Sequence, residues 1–115
     1  MTTSFGPLLE ALTRQRGVRA SLIVSEKDGL VVDSKVRFGE QGDRLAALAA
    51  SIFRKARLSA RAAHLGAVSF LQLDAERGRI CAVRRDDLVL IVVADAAANV
   101  GLIRVELLKA LEQIQ

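Results

Sequence analysis

The chain has 115 residues, 51% of them hydrophobic, with four Phe and no Tyr or Trp, and a formal charge of +4. That length suits one domain over residues 1–115, and so high an apolar fraction excludes a disordered chain. One cysteine excludes an internal disulfide, and no apolar run reaches the ~18 residues of a membrane span.

Taken in chain order, the first helix is expected from Pro7 to Arg16. Pro is favoured at a helix start and Gly17 at its stop, while Phe5, Leu8, Leu9 and Leu12 supply an apolar stripe. Val18 to Ser25 reads as a strand rich in β-branched residues. Asp28-Gly29 then signals a hairpin into Leu30–Asp33, and the polar stretch Lys35–Gly42 reads as a loop. A long helix follows, with Asp43 as N-cap and Gly66 as stop after Leu65. Three strands are expected next: Ala67–Leu73, Arg79–Arg84 and Leu88–Ala94, with turns at Glu76-Arg77-Gly78 and Asp86-Asp87. The last of these, LVLIVVA, is apolar without alternation, so both its faces should be covered. Asn99 or Asp95 caps a final helix with a stripe of Val100, Ile103, Leu107, Ala110, Leu111 and Ile114. Short turns between strands imply a mostly antiparallel sheet. The fold class is therefore α+β, an α/β sandwich: helix, two strands, helix, three strands, helix, with five strands between helical layers.

The long helix is the unusual element. Leu45 to Phe53 reads LAALAASIF, nine residues without a charge. Nine helical residues sample every direction around the axis, so no polar outer face exists until Arg54. Leu45, Leu48, Ala49, Ile52, Phe53 and Ala56 share the face expected to pack on the sheet. Ala47, Ala50, Arg54, Leu58, Arg61 and Leu65 lie opposite and need cover that a short chain cannot supply. The strand after the helix, AVSFLQL, carries no charge and would aggregate as a free edge. A homodimer is expected, with Ala47, Ala50, Arg54, Leu58, Arg61, Val68 and Phe70 at its interface. The other reading of the outer face is an ordinary solvated Ala-rich surface.

Charge points the same way. Arg44 to Leu73 holds five basic residues and no acid, so an acidic partner is expected on this segment: a protein face, a nucleic acid or an anionic membrane. Arg54, Lys55, Arg57 and Arg61 are the candidate partner-binding residues, chosen on charge and geometry alone. Nucleic acid is set aside, because stacking aromatics and a helix-turn-helix are missing from the sequence.

No catalytic constellation is evident. His64 is the only His and lies near a helix C-terminus, where the dipole favours its charge. Cys81 sits in an apolar run and reads as an inert buried thiol. No GxxxxGK[ST] or GxGxxG loop occurs. Neither metal ligands nor a cofactor site is expected. The N-terminus lacks the basic start and long apolar stretch of a signal peptide, so the chain is read as cytoplasmic, with no membrane insertion.

The phrases GVRASLIVSEKDGLVV, LAALAASIFRKA and RGRICAVRRDDLVLIVVADAAANVGLIRVELLKAL, in this order, resemble the roadblock / dynein light chain family, most closely its short prokaryotic members. The resemblance spans about Leu8 to Leu111. It implies a five-stranded antiparallel sheet with the terminal helices on one face and the central helix on the other. It implies dimerisation through the central helix and the next strand, no enzymatic site, and binding of a Ras-like small GTPase. In the bacterial polarity pair of this family, one GTPase docks across the paired central helices and hydrolysis speeds up without a donated arginine. The leading expectation is a homodimeric, non-catalytic regulator or scaffold for such a GTPase. A purely structural adaptor and a small-molecule sensor are the alternatives.

Overall fold

The backbone follows from alternation in the strands and from three amphipathic helices. A computed structural model describes residues 5–37 and 42–114, with side chains from Arg44 onward in the second segment. The elements are α1 Gly6–Thr13, β1 Val18–Ser25, β2 Val31–Val36, α2 Gly42–Ala62, β3 Leu71–Ala75, β4 Gly78–Arg85, β5 Leu88–Ala94 and α3 Val100–Gln113. Their order is the one expected from the sequence. All neighbouring strands pair antiparallel in the order β2-β1-β5-β4-β3, so β2 and β3 are the two edges.

Successive strand residues point to opposite faces, and this divides the core in two. Leu22 pairs with Ile91 and both face α2, joining Ala20, Val24, Val89 and Phe53. Ile23 pairs with Leu90 and both face α1 and α3, joining Leu9, Leu12, Ile103 and Leu107. β5 lies in the middle with both faces covered, which explains its unbroken apolar run. Cys81 is fully buried on the α1/α3 side. Burial holds its thiol above the usual range, Asp74 adds to this and Arg79 opposes it.

Several boundaries differ from expectation. α1 ends at Thr13, because Gln15 N–H bonds back three residues to the Leu12 carbonyl and Gly17, at φ +87°, turns the chain into β1. β2 runs on to Val36, into the stretch read as a loop, since Lys35 and Val36 pair with Ser21 and Ala20. The β1–β2 connection is longer than a two-residue hairpin: Ser25 N–H reaches the Leu30 carbonyl, and Gly29 alone takes positive φ. α2 stops before Gly66. Leu65 N–H donates to the Ala60 carbonyl at 2.8 Å and His64 N–H to the Arg61 carbonyl at 3.1 Å, a Schellman closure with His64 at φ +60°. Asn99 caps α3, its side chain accepting from Leu102 N–H. The capping role expected of the Asp43 side chain lies outside the described residues.

β3 begins at Leu71, four residues later than expected. Val68 and Phe70 therefore precede the strand rather than sharing one of its faces. Val68 packs on the α2 side, while Phe70 packs on the α1/α3 side, with the Arg104 guanidinium 4.7 Å from its ring centre.

Candidate interaction face on α2

α2 buries Ala46, Ala49, Ala50 and Phe53, an i, i+3, i+4, i+7 set. The expected faces are corrected at two positions. Ala50 is 1% exposed and belongs to the core, whereas Leu48 is 53% exposed. The cause is the choice of phase. In an all-apolar run, either set of periodic residues can face inward, and the small Ala46/Ala49/Ala50 set lets the helix lie close to the sheet. Ala50 is thus covered within its own chain and is removed from the candidate interface. Ala47, Leu58 and Arg61 remain exposed, and Leu58 keeps 49% of its surface in water.

α2 lies over β1 and β2 and touches β5 only lightly. Leu71 and Leu73 of β3 pair with Ala82 and Ile80 of β4 on the α2 side of the sheet. Leu71, Leu73 and Ile80 are only half-buried there, beside an edge strand. A half-covered apolar floor therefore flanks the helix. The acidic residue on this edge, Asp74, alternates to the other face, where it meets Arg79 at 3.7 Å.

The arginines divide into two groups. Glu26, at the end of β1, is buried with 4% exposure. Arg57 holds its Oε1 with both Nε and Nη2 at 2.7 Å, and Arg84 of β4 reaches Oε2 at 3.3 Å. Arg54 Nη2 donates to the Glu26 carbonyl and, at 3.1 Å, to the Lys27 carbonyl. Arg54 and Arg57 are therefore engaged by their own chain and tie α2 to the β1–β2 turn. Lys55 and Arg61, with Arg44, are exposed and have no hydrogen-bond or ion-pair partner among the described residues. Of the four expected partner-binding residues, Lys55 and Arg61 are free and Arg54 and Arg57 are not.

Asp87 completes the knot. Its Oδ2 accepts from Ser25 Oγ at 2.6 Å and its Oδ1 from Lys27 N–H at 3.1 Å. These bonds, the Ser25 one foremost, hold its carboxyl below the usual range. Asp86-Asp87 is the expected turn, but the clasp on the neighbouring turn was not foreseen. Glu26 and Arg84 were missed as well. The one signal was the surplus of arginine on a helix with no acid to pair with. Among the described residues, no three His, Cys, Asp or Glu side chains gather as a metal site, and no helix is long and apolar enough to cross a membrane. A surface cleft of about 560 Å³ lies at the other end of the sheet, between Arg16-Gly17 and Asp95–Asn99.

The layering, two helices on one face of a five-stranded antiparallel sheet and one on the half-covered other, defines the class as a small α+β domain built around a central helix. The chain belongs to the Roadblock/LC7 domain family, whose description matches residues 5–95, from α1 through β5. It is 32% identical over 108 residues to the uncharacterized protein MJ1340 of Methanocaldococcus jannaschii, covering 94% of this chain and 93% of that protein. Among solved structures it is similar to the Roadblock/LC7 domain from Streptomyces avermitilis, with a TM-score of 0.86 at 19% identity, covering 97% and 95% of the two chains. It is also similar to Myxococcus xanthus MglB, with a TM-score of 0.85 at 18% identity, covering 97% and 92%. These structural likenesses carry the fold.

Proposed function

We propose that the protein is a homodimeric, non-catalytic regulator or scaffold that binds a Ras-like small GTPase across its paired α2 helices. The observation that carries this reading is the half-covered α2 side of the sheet. Leu58 and Ala47 on the helix, with Leu71, Leu73 and Ile80 on the floor, form an apolar strip beside a free strand edge. A second copy related by a two-fold axis would cover this strip and pair the β3 edges. Membership of the Roadblock/LC7 family and similarity to MglB support a GTPase as the partner. The engagement of Arg54 and Arg57 within the chain supports action by shaping the partner's switch loops, whose order depends on nucleotide, rather than by donating either arginine.

The test is a binding assay against purified Ras-like GTPases of the source organism, loaded with GDP or a GTP analogue, followed by single-turnover GTP hydrolysis. Nucleotide-dependent binding supports the reading. Binding without any change in hydrolysis makes the protein a structural adaptor. No binding in either state overturns it.

A further inference from the structure

Three residues of α2 have no role in the fold just described. Arg44, Leu48 and Lys55 are all exposed. At about 100° per residue they fall within roughly 40° of arc, nearly opposite the Ala46, Ala49, Ala50 and Phe53 stripe. They form the crest of the helix, the line farthest from the sheet. We propose that this crest reads the partner, and that the partner is a protein presenting carboxylates around a shallow apolar hollow that receives Leu48. The inference rests on the reading that α2 carries the docking face, and it names the chemistry of the surface that meets it.

Charge is the first support. Arg44 and Lys55 have no partner among the described residues, and no acid lies between Arg44 and Ala62 to pair with them along the helix. Their charge is unneutralised, in contrast to Arg57, which is held by Glu26 at 2.7 Å. Shape is the second. A leucine with 53% of its surface in water, set between two free cations, has the arrangement of a small interface: an apolar anchor with a charged rim. A protein is favoured over the other anionic surfaces. The crest holds no aromatic ring on which bases could stack. Its two cations per chain stand eleven residues or about 16 Å apart with Leu48 between them, spread along the helix rather than gathered into the clusters of about four to eight that hold anionic membranes.

The test compares wild type with R44E/K55E, L48A and the charge-retaining R44K/K55R, each as the full chain. The probes are the purified Ras-like GTPases in both nucleotide states, phosphatidylserine vesicles and a single-stranded oligonucleotide. Wild-type affinity for a GTPase should fall as salt rises, and R44E/K55E should weaken it by about tenfold or more and lose most of that salt dependence. L48A should weaken binding without changing its salt dependence, and R44K/K55R should restore it. Circular dichroism and sedimentation should be unchanged, because all three side chains are exposed. Equal GTPase binding by wild type and R44E/K55E overturns this inference and leaves the GTPase reading standing. Failure of wild type to bind any GTPase removes that reading and this inference with it. Binding to vesicles or to the oligonucleotide that is lost in R44E/K55E overturns the protein partner.

Discussion

Glu26 has the greatest structural weight of any single charged side chain among the described residues. It is 4% exposed, and its two oxygens are divided between Arg57 of α2 and Arg84 of β4. Replacing the carboxylate by a neutral amide leaves the two guanidiniums without their shared countercharge. Breaking a fully buried pair costs about 3–5 kcal/mol, so E26Q should cost about 2–3 kcal/mol here, less because both arginines keep part of their side chains in water. Urea unfolding at fixed protein concentration measures this. Asp87 gives a pH signature with a definite sign. Its carboxyl lies below the usual range in the folded chain, mainly through the Ser25 hydrogen bond. The stabilisation is therefore complete above the ordinary carboxylate value of about 4 and fades as pH falls toward the lower folded value. D87N should be less stable than wild type at neutral pH, with the gap closing on the acid side. Neither role was legible in the sequence. Glu26 falls between two expected strands and Asp87 in an expected turn, and the partners that define them lie 31 and 62 positions away.

At the scale of one element, α2 shows what periodicity can and cannot decide. Its existence and its all-round apolar character were plain from LAALAASIF, and so was the unneutralised charge that follows. Its phase was not. Where nearly every position is apolar, spacing alone leaves the inward direction open, and Ala50 was placed outside while Leu48 was placed inside. Packing settled it: three alanines allow a close approach to β1 and β2, and Phe53 is the one large side chain that α2 itself buries fully. F53A should therefore cost about 3–5 kcal/mol, as large-to-small changes at buried aromatic positions do, with the loss read by thermal or urea unfolding. The helix terminus offers the opposite sign. His64 takes φ +60° to close the Schellman turn, a conformation that glycine adopts without steric cost. H64G should stabilise the chain by about 1 kcal/mol, measured in the same way. Gly66 was read as the stop because glycine is the usual residue there, and the chain turns two residues sooner with a histidine instead.

At the scale of the whole molecule, the order of elements, the antiparallel sheet and the doubly covered β5 all followed from local signals: turn pairs, a β-branched strand, and an apolar run too short for a helix. Edge behaviour followed less well. β3 starts at Leu71, so Val68 and Phe70 leave the strand and divide between the two cores. What remains on the α2 side is Leu71 and Leu73 on an edge strand, with exposed Ala47 and Leu58 on the helix. The physical question is whether a second chain covers them. Ala47 and Leu58 suit a test because both are exposed in the single chain, so charging them disturbs no core contact. Glutamate at position 58 would also lie three and four residues from Lys55, Arg54 and Arg61, a spacing that supports the helix by a few tenths of a kcal/mol per pair, roughly. A47E/L58E should therefore keep the circular dichroism of wild type. If α2 packs against α2 of a second copy, the substitution places four carboxylates in an apolar seam, and sedimentation at micromolar concentration should change from dimer to monomer. Wild type that sediments as a monomer, or a variant that remains a dimer, would remove the α2 seam and the two-fold docking platform together.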